Sequence, residues 1–561
     1  MADNSSYFKF ANETSNGGNG ATIHQPRARK PLDARLARAL NEELTPNAAV
    51  QRAQAAGLAS ERSTPAPPED APESVKVTAA ARKHLRRKTK QQRMFPTVEY
   101  QERVSYFDPR SSYGNFRGFF VLFWIGLAIM VFTSMLRSLK ETGTVFNFKQ
   151  WPLFTKDLVD LAISDLCMCV TTALSLVFNL VFVKSKGILR WNRAGMIIQS
   201  IFQAAWLYFW ISWPFMRDWT WTAQVFFTLH TLVLVMKMHS YAFYNGHLSV
   251  TLQRLKELDM PIGPMTPTDA AVRYPSAHTR LAELKAAASE DEHEHQNPSP
   301  IMTLREDLAT ELTSPLGNVT YPANLTVGTY LDFLLCPTLC YEIEYPRTPS
   351  RSYLELFYKM LAVFGCIFLM IVTAEEFIIP VLDESSFRLH LSRTWIDSSL
   401  IFAETVSRLL FPFMVTFLLV FLVIFEYVCG AFAEITRFAD RQFYSDWWNS
   451  LDWLEFSREW NIPVHHFFRR HVYSASRSAK MSKPAATATV FFISAIAHEL
   501  IMGCITRKFR GYGFILMMMQ MPIVMIQRMP WVRDRSLLNN IMFWISMILG
   551  LSLLCALYVL V

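Results

Sequence analysis

Residues 443–449, FYSDWWN, lead through residues 460–465, WNIPVH, into an apolar stretch at 486–505 that contains His498. A stretch of about 20 mostly apolar residues is long enough to cross the hydrocarbon core of a membrane as a helix. A polar and aromatic segment therefore precedes a membrane span that carries one imidazole. An ionisable side chain inside a span is costly to place, so this histidine marks a candidate functional site.

The rest of the chain repeats this apolar pattern. Apolar residues make up 51% of the 561 residues, and they are gathered into runs. By length, about nine runs are candidate spans, at 115–136, 159–183, 194–213, 221–244, 356–379, 399–435, 486–505, 511–527 and 537–560. We therefore predict an all-α polytopic membrane protein with about nine transmembrane helices, in a membrane-embedded domain at 96–561. The sixth span is long enough to be tilted or to consist of two pieces.

The N-terminal part has a different composition. Residues 1–95 combine Ser, Asn, Gly, Pro and charge without a sustained apolar period, which predicts a disordered arm. A basic run at 82–93 precedes the first span and places the arm in the cytosol, and most later loop charges agree. Within this topology we expect residues 264–300, which are rich in Ala, Glu and Pro, to form a mobile cytosolic loop. The glycosylation sequons at Asn318 and Asn324 would then stay unused.

Charge and cysteine content restrict the class of partner. The net charge of +8 arises from basic clusters beside the apolar runs, which favours anionic lipid headgroups or an anionic substrate over nucleic acid. Most of the eight cysteines lie inside apolar runs, where a thiol behaves as a small hydrophobe. We expect them to be free.

His498 is the candidate base in the seventh span. Counted from Ala486, it lies about 18 Å along the helix, near mid-membrane, with Ser494 one turn away on the same face. A low dielectric disfavours the charged imidazole, so a neutral ring remains available as a proton acceptor. A histidine that only bonds neighbouring helices is the structural alternative. The pair His498-Glu499 opens like a zinc-protease HExxH helix, but Met502 replaces the second ligand, so we predict no metal there.

The segment before this span suggests a cationic entrance. Pro463 disfavours a helix at the preceding residue and can start a new one, so Asn461 is expected at a helix entry. The histidines at 465, 466 and 471 lack the spacing of a metal cluster. Together with Lys483 they are predicted to form a cationic rim that attracts a phosphate-bearing ligand. The pattern alone predicts a polyanionic ligand that meets a buried base, without naming the reaction.

Several motifs resemble a known family. The signature FYxDWWN of the membrane-bound O-acyltransferase superfamily, in its sterol and diacylglycerol acyltransferase branch, is matched by Phe443, Tyr444, Asp446, Trp447, Trp448 and Asn449. The resemblance covers about residues 100–561. Residues 236–246, MKMHSYAFYNG, and the pair 336–339, CPTL, and 345–348, YPRT, are similar to segments of fungal sterol O-acyltransferases. Diacylglycerol acyltransferases share the CPTL and YPRT pair loosely and lack the first segment.

This resemblance implies a multi-pass enzyme of the endoplasmic reticulum that esterifies a membrane sterol with the acyl group of acyl-CoA. Acyl-CoA is then a co-substrate, and neither cofactor nor metal is expected. It implies that His498 is the catalytic base and Asn461 the second active-site residue. The implied acyl-CoA tunnel is lined by His465, Tyr473, Lys483, Ser494 and Gln520. Family members form dimers or dimers of dimers. A diacylglycerol O-acyltransferase is the alternative; a transporter is disfavoured because paired inverted repeats are not evident.

Overall fold

A computed structural model describes residues 95, 98, 100–108, 111, 117–145, 152, 155–185, 187–258, 307–314, 317–533 and 535–561. The arm predicted to be disordered, apart from residue 95, and the loop predicted to be mobile at 264–300 lie outside these residues. Residues 91–561 belong to one compact unit. In the described ranges the secondary structure is helical, and β-structure is limited to isolated bridges such as Arg347 with Phe438.

Nine long helices dominate the described part of the chain. They are α1 (Gly118–Thr142), α2 (Leu158–Lys184), α3 (Trp191–Met216), α4 (Trp221–Glu257), α5 (Tyr353–Leu391), α6 (Trp395–Thr436), α7 (Lys483–Thr506), α8 (Tyr512–Gln527) and α9 (Ser536–Leu560). Eight of these are long and apolar enough to cross a membrane. The predicted polytopic all-α class is therefore confirmed.

The helix α8 differs from its prediction. It has 16 residues, and at 1.5 Å per residue it extends about 24 Å, short of a hydrocarbon core of about 30 Å. It is therefore not a full-length span. The helix α6, in contrast, is a single 42-residue helix. A π-helical turn at Leu422–Val428 interrupts its regular geometry without dividing it.

Shorter helices connect the long ones. They are Val327–Leu335, Trp453–Glu459, Ile462–Phe467, Ser474–Ser478 and Pro530–Arg533, with a π-helical turn at Phe468–Tyr473. The entry to α7 is capped, because the Ser482 side chain accepts a hydrogen bond from the Ala485 amide and Pro484 occupies the first turn. This cap satisfies a backbone donor that has no partner inside the helix.

The aromatic segment at 329–347 packs inside the protein. Tyr330, Phe333, Tyr341 and Tyr345 are all buried. Asn324, just before this segment, is fully buried and donates hydrogen bonds of 2.9 Å to Asn245 Oδ1 and to the Tyr341 hydroxyl. Its sequon is therefore part of the core. The cysteines are free, as predicted.

Candidate active site

The candidate base His498 lies on α7, and its hydrogen bond defines its tautomer. The Nδ1 atom of the ring lies 2.8 Å from the backbone carbonyl oxygen of Ser494, one helical turn earlier. A carbonyl oxygen can only accept, so Nδ1 carries the proton of the neutral ring. The lone pair is then on Nε2. The prediction of a buried base is not met, because His498 is exposed, although α4, α8 and the turn Phe468–Tyr473 all pack against α7. His498 is therefore placed to accept a proton from a ligand through Nε2.

Glu499, the next residue, fixes the position of α7. Its carboxylate accepts hydrogen bonds from the backbone amides of Gly511 at 2.8 Å and Phe514 at 3.1 Å, at the start of α8. The hydroxyl of Tyr558 on α9 donates a third bond of 2.7 Å. One carboxylate thus joins three helices. No role for Glu499 was predicted, and its only signal in the sequence is an acidic residue inside an apolar span.

Asn461 caps the helix Ile462–Phe467, as the following proline predicts. Its Oδ1 atom accepts a hydrogen bond of 3.1 Å from the Val464 amide. The Nδ2 group has no hydrogen-bond acceptor among the described residues, so its two hydrogens are available to a ligand. Asn461 and His498 share no hydrogen bond in that part of the chain. They are linked through the turn Phe468–Tyr473, which continues the capped helix and packs against α7.

The signature segment 443–449 holds Asn461 in place through the backbone. The Ser445 amide donates a 2.8 Å bond to the Glu459 carbonyl, and the Ile462 amide donates a 3.0 Å bond to the Phe443 carbonyl. These two bonds lie on either side of Asn461. The signature residues therefore act on the site by supporting its backbone.

The tryptophans of the signature pack inside the protein. The Trp447 side chain is only 1% exposed, and its ring meets that of Trp460 edge to face at 4.9 Å. The Trp448 carbonyl accepts bonds of 3.1 Å from Trp544 and 3.0 Å from Asn540, both on α9. Trp447 is therefore a residue of the protein core. Asp446 and Asn449 close a short turn, in which the Asn449 amide donates to the Asp446 carbonyl.

The predicted cationic rim is wrong in part. His471 is buried, and its Nε2 atom lies 2.9 Å from the Ser240 hydroxyl. Burial, together with the nearby Arg469 and Arg458, lowers the pKa of His465 to about 4. His465 is therefore neutral near pH 7 and adds no charge. The exposed cations near the start of α7 are instead Arg469, Arg477, Lys480 and Lys483.

The other predicted acyl-CoA contacts lie on the same connected elements. Tyr473 ends the π-helical turn, and Ser494 and Lys483 are on α7. Gln520 is on α8, which packs against α7. Lys483 is exposed, whereas the side chains of Tyr473, Ser494 and Gln520 are half-buried. Within the described part of the chain, two pairs of the predicted catalytic and acyl-CoA-binding residues are hydrogen-bonded: His498 Nδ1 to the Ser494 carbonyl, and the His465 amide to the Asn461 carbonyl at 2.9 Å.

A buried polar network behind the site was not predicted. Arg470, 1% exposed, donates bonds of 3.0 Å to the Tyr341 carbonyl and 2.9 Å to Glu342 Oε1. Lys237 on α4 donates a 2.9 Å bond to the Phe333 carbonyl, close to the C-terminus of the helix Val327–Leu335. These bonds tie the aromatic segment 329–347 to α4 and to the turn Phe468–Tyr473. The only sequence signal for them is a cation placed among apolar residues.

The sequence of this chain is similar to those of known proteins. The family model described as MBOAT, membrane-bound O-acyltransferase family, matches residues 139–560. A protein of Schizosaccharomyces pombe named "Probable sterol O-acyltransferase 2" is 40% identical over 460 residues, which cover 80% of this chain and 87% of that protein. Sterol O-acyltransferase 2 of Candida albicans is 32% identical over 473 residues, covering 79% and 75% of the two chains.

A third protein is similar to this chain over a shorter stretch. Diacylglycerol O-acyltransferase 1 of Dictyostelium discoideum is 34% identical over 255 residues, which cover 46% of this chain and 40% of that protein. The family model spans α2 to α9 and therefore includes His498, Asn461 and the signature segment that supports it. On these matches, the chain belongs to the membrane-bound O-acyltransferase family.

Proposed function

We infer that this chain is a sterol O-acyltransferase, which transfers a fatty acyl group from acyl-CoA to the 3β-hydroxyl of a membrane sterol. Two relatives named as sterol O-acyltransferases align with 80% and 79% of the chain, whereas the relative named as a diacylglycerol O-acyltransferase aligns with 46%. That difference favours a sterol as acceptor. The enzyme resides in the endoplasmic reticulum membrane with a cytosolic N-terminus, and it acts as a homodimer or a dimer of dimers.

The tautomer of His498 is the observation that carries the mechanism. With Nδ1 donating to the Ser494 carbonyl, the Nε2 lone pair takes the proton of the sterol hydroxyl. The sterol oxygen then attacks the thioester carbonyl carbon. When the tetrahedral intermediate collapses, the carbon–sulfur bond breaks and the imidazolium returns its proton to the CoA thiolate. A general base of this kind contributes about 10²- to 10⁴-fold to the rate.

Asn461 serves the attack of the sterol oxygen on the thioester carbonyl. Its Nδ2 hydrogens have no acceptor among the described residues, while its Oδ1 atom is held by the Val464 amide. The side chain is therefore fixed in orientation and still able to donate. In the proposed mechanism it donates to the oxygen on which negative charge develops. A donor that is oriented before the reaction needs no reorganisation when that charge forms.

The acyl-CoA donor enters from the cytosolic side. Its phosphates cannot enter hydrocarbon without a large desolvation cost, so the nucleotide stays near the exposed cations Arg469 and Lys483. The pantetheine arm then runs along α7 past Ser494 towards His498, with Tyr473 and Gln520 on the adjoining elements. His465, which is neutral, contributes a hydrogen bond rather than a charge. The sterol arrives laterally from the bilayer.

A competition between acceptors tests the proposed function. The full chain, purified in lipid nanodiscs, is given labelled oleoyl-CoA with equal amounts of ergosterol and diacylglycerol. We expect steryl ester to be the main labelled product, because the sterol acyltransferase similarity extends along most of the chain. Triacylglycerol as the main product would overturn the choice of acceptor, and release of free fatty acid alone would overturn acyl transfer to an alcohol.

A further inference from the structure

Three side chains with metal-binding atoms meet between α2 and α4, away from the candidate active site. They are Asp165 and Cys169 on α2 and His230 on α4, and one ligand atom of each lies within 4.8 Å of the others. Asp165 and Cys169 are four residues apart and so share one face of α2. His230 Nδ1 donates a 2.6 Å hydrogen bond to Asp165 Oδ1. The proposed acyl transfer uses none of the three.

The position of this group in the membrane calls for an explanation. Asp165 follows the start of α2 at Leu158 by about 10 Å along the helix axis. His230 follows the start of α4 at Trp221 by about 14 Å. Both side chains are partly exposed, 22% for Asp165 and 31% for His230. A carboxylate at such a depth is costly and is normally found paired or in a functional site.

The helices around the group are held in register by polar contacts. The Thr231 hydroxyl donates a 3.0 Å bond to the sulfur of Met168, which joins α4 to α2. The Trp213 indole donates a 3.1 Å bond to the Ser164 hydroxyl, which joins α3 to α2. Thr231, Met168 and Ser164 are next in sequence to His230, Cys169 and Asp165, respectively. The three donors are thus placed by packing that is independent of any ligand, as a preorganised site requires.

We propose that Asp165, Cys169 and His230 bind one divalent ion of the zinc class. Thiolate and imidazole ligands suit zinc and its neighbours better than magnesium or calcium. Two anionic ligands neutralise the double charge of the ion, so the loaded site has no net charge to bury in hydrocarbon.

Binding of the ion has a defined proton balance. The Cys169 thiol releases its proton to solvent when it becomes a thiolate ligand. The proton of His230 moves from Nδ1 to Nε2, so that the neutral ring binds the metal through Nδ1. The Asp165 carboxylate exchanges its hydrogen bond to His230 for a bond to the ion. A water molecule would supply the fourth ligand of a tetrahedral site.

Cobalt(II) is the probe that tests the site, because a cobalt–thiolate bond gives an intense ultraviolet charge-transfer band. The full chain is purified without a polyhistidine tag, stripped with a chelator and titrated with Co²⁺. We expect the thiolate band to saturate at one ion per chain. Zinc should remove the band by competition. Failure of the stripped protein to develop the band would overturn the proposal.

The chain offers a matched control two residues from the proposed ligand. Cys167 is exposed on α2, whereas Cys169 is half-buried beside Asp165. We expect Cys169→Ser to lose the band and at least about 10-fold in Co²⁺ affinity, since changes outside the ligand shell alone cost about 10- to 100-fold. Cys167→Ser should retain both. Equal titrations of the two variants would overturn the proposal, and would leave His230 and Asp165 as a simple hydrogen-bonded pair.

A second variant keeps the test independent of folding. His230→Gln retains a hydrogen-bond donor for Asp165, so the contact between α2 and α4 is preserved. We expect this variant to elute from size exclusion like the unmodified chain and to bind Co²⁺ at least about 10-fold more weakly. Unchanged affinity would remove His230 from the site and overturn the three-ligand arrangement. Acyl transfer is not the readout, so this result is separate from that of the acceptor competition.

Discussion

Replacing Glu499 with alanine should loosen the junction of α7, α8 and α9 and reduce acyl transfer. The carboxylate accepts bonds of 2.8 Å, 3.1 Å and 2.7 Å from Gly511, Phe514 and Tyr558. A hydrogen bond to a charged group contributes about 1.5–3 kcal/mol. The Glu499 side chain is half-exposed, so water can replace part of these hydrogen bonds in the variant. We therefore expect Glu499→Ala to lower the free energy of unfolding by about 2–4 kcal/mol.

A graded series makes this prediction specific. Tyr558→Phe removes one of the three bonds to the carboxylate, and Glu499→Gln removes the charge but keeps an acceptor oxygen. The thermal unfolding midpoint of the detergent-purified protein should therefore fall in the order unmodified, Tyr558→Phe, Glu499→Gln, Glu499→Ala. Acyl transfer should fall in the same order, since each step loosens the helix that carries His498.

The control for this series is Glu376→Ala. Glu376 is a half-buried glutamate on α5 that makes no hydrogen bond with other described residues. If Glu499→Ala had the unfolding midpoint and turnover of Glu376→Ala, the carboxylate would not hold the junction. A lower midpoint with unchanged turnover would separate the stability of the junction from the orientation of His498, and would contradict the positioning role.

Two further predictions concern packing and pH. A Cβ atom at Gly246 would lie 2.1 Å from the Trp191 ring, so Gly246→Ala should cost about 1–3 kcal/mol of stability, measured by thermal unfolding. Gly365→Ala, which meets nothing within 4 Å, should leave the midpoint unchanged or higher. The folded pKa of His465, about 4, lies below its ordinary 6.5. The contribution of neutral His465 to the free energy of unfolding is therefore complete at pH values above 6.5. It is lost as the pH falls from 6.5 towards the folded-state pKa of about 4. His465→Gln should flatten the fall of the unfolding midpoint over that pH range, and an unchanged slope would contradict the assignment.

The helices of this protein could be predicted because membrane spans are encoded locally. A run of apolar residues of sufficient length is enough to identify α1 or α9, whatever it packs against. The same criterion counted 511–527 as a span, although the helix there has only 16 residues. It also left the number of pieces in α6 open, because a π-helical turn has no apolar signature.

In the candidate site, too, contacts between residues close in sequence could be predicted, whereas contacts between distant residues could not. The bond between His498 and Ser494 follows from helical spacing, and the capping role of Asn461 follows from the proline two residues later. The partners of Glu499, in contrast, come from a separate turn and from α9. His471 was assigned to a charged rim because sequence shows the residue type but neither its burial nor its hydrogen bond to Ser240. Hydrogen bonds between distant elements form only once the helices have packed.

The central claim is that Nε2 of His498 takes the proton of the acceptor hydroxyl. The most direct measurement is single-turnover steryl ester formation by purified His498→Ala, with acyl-CoA binding measured on the same sample. His390→Ala, which removes an exposed histidine near the end of α5, is the control. We predict that His498→Ala binds acyl-CoA normally and forms ester about 10²- to 10⁴-fold more slowly, while the control is unaffected. Ester formation by a folded His498→Ala protein at the rate of the control would contradict the account.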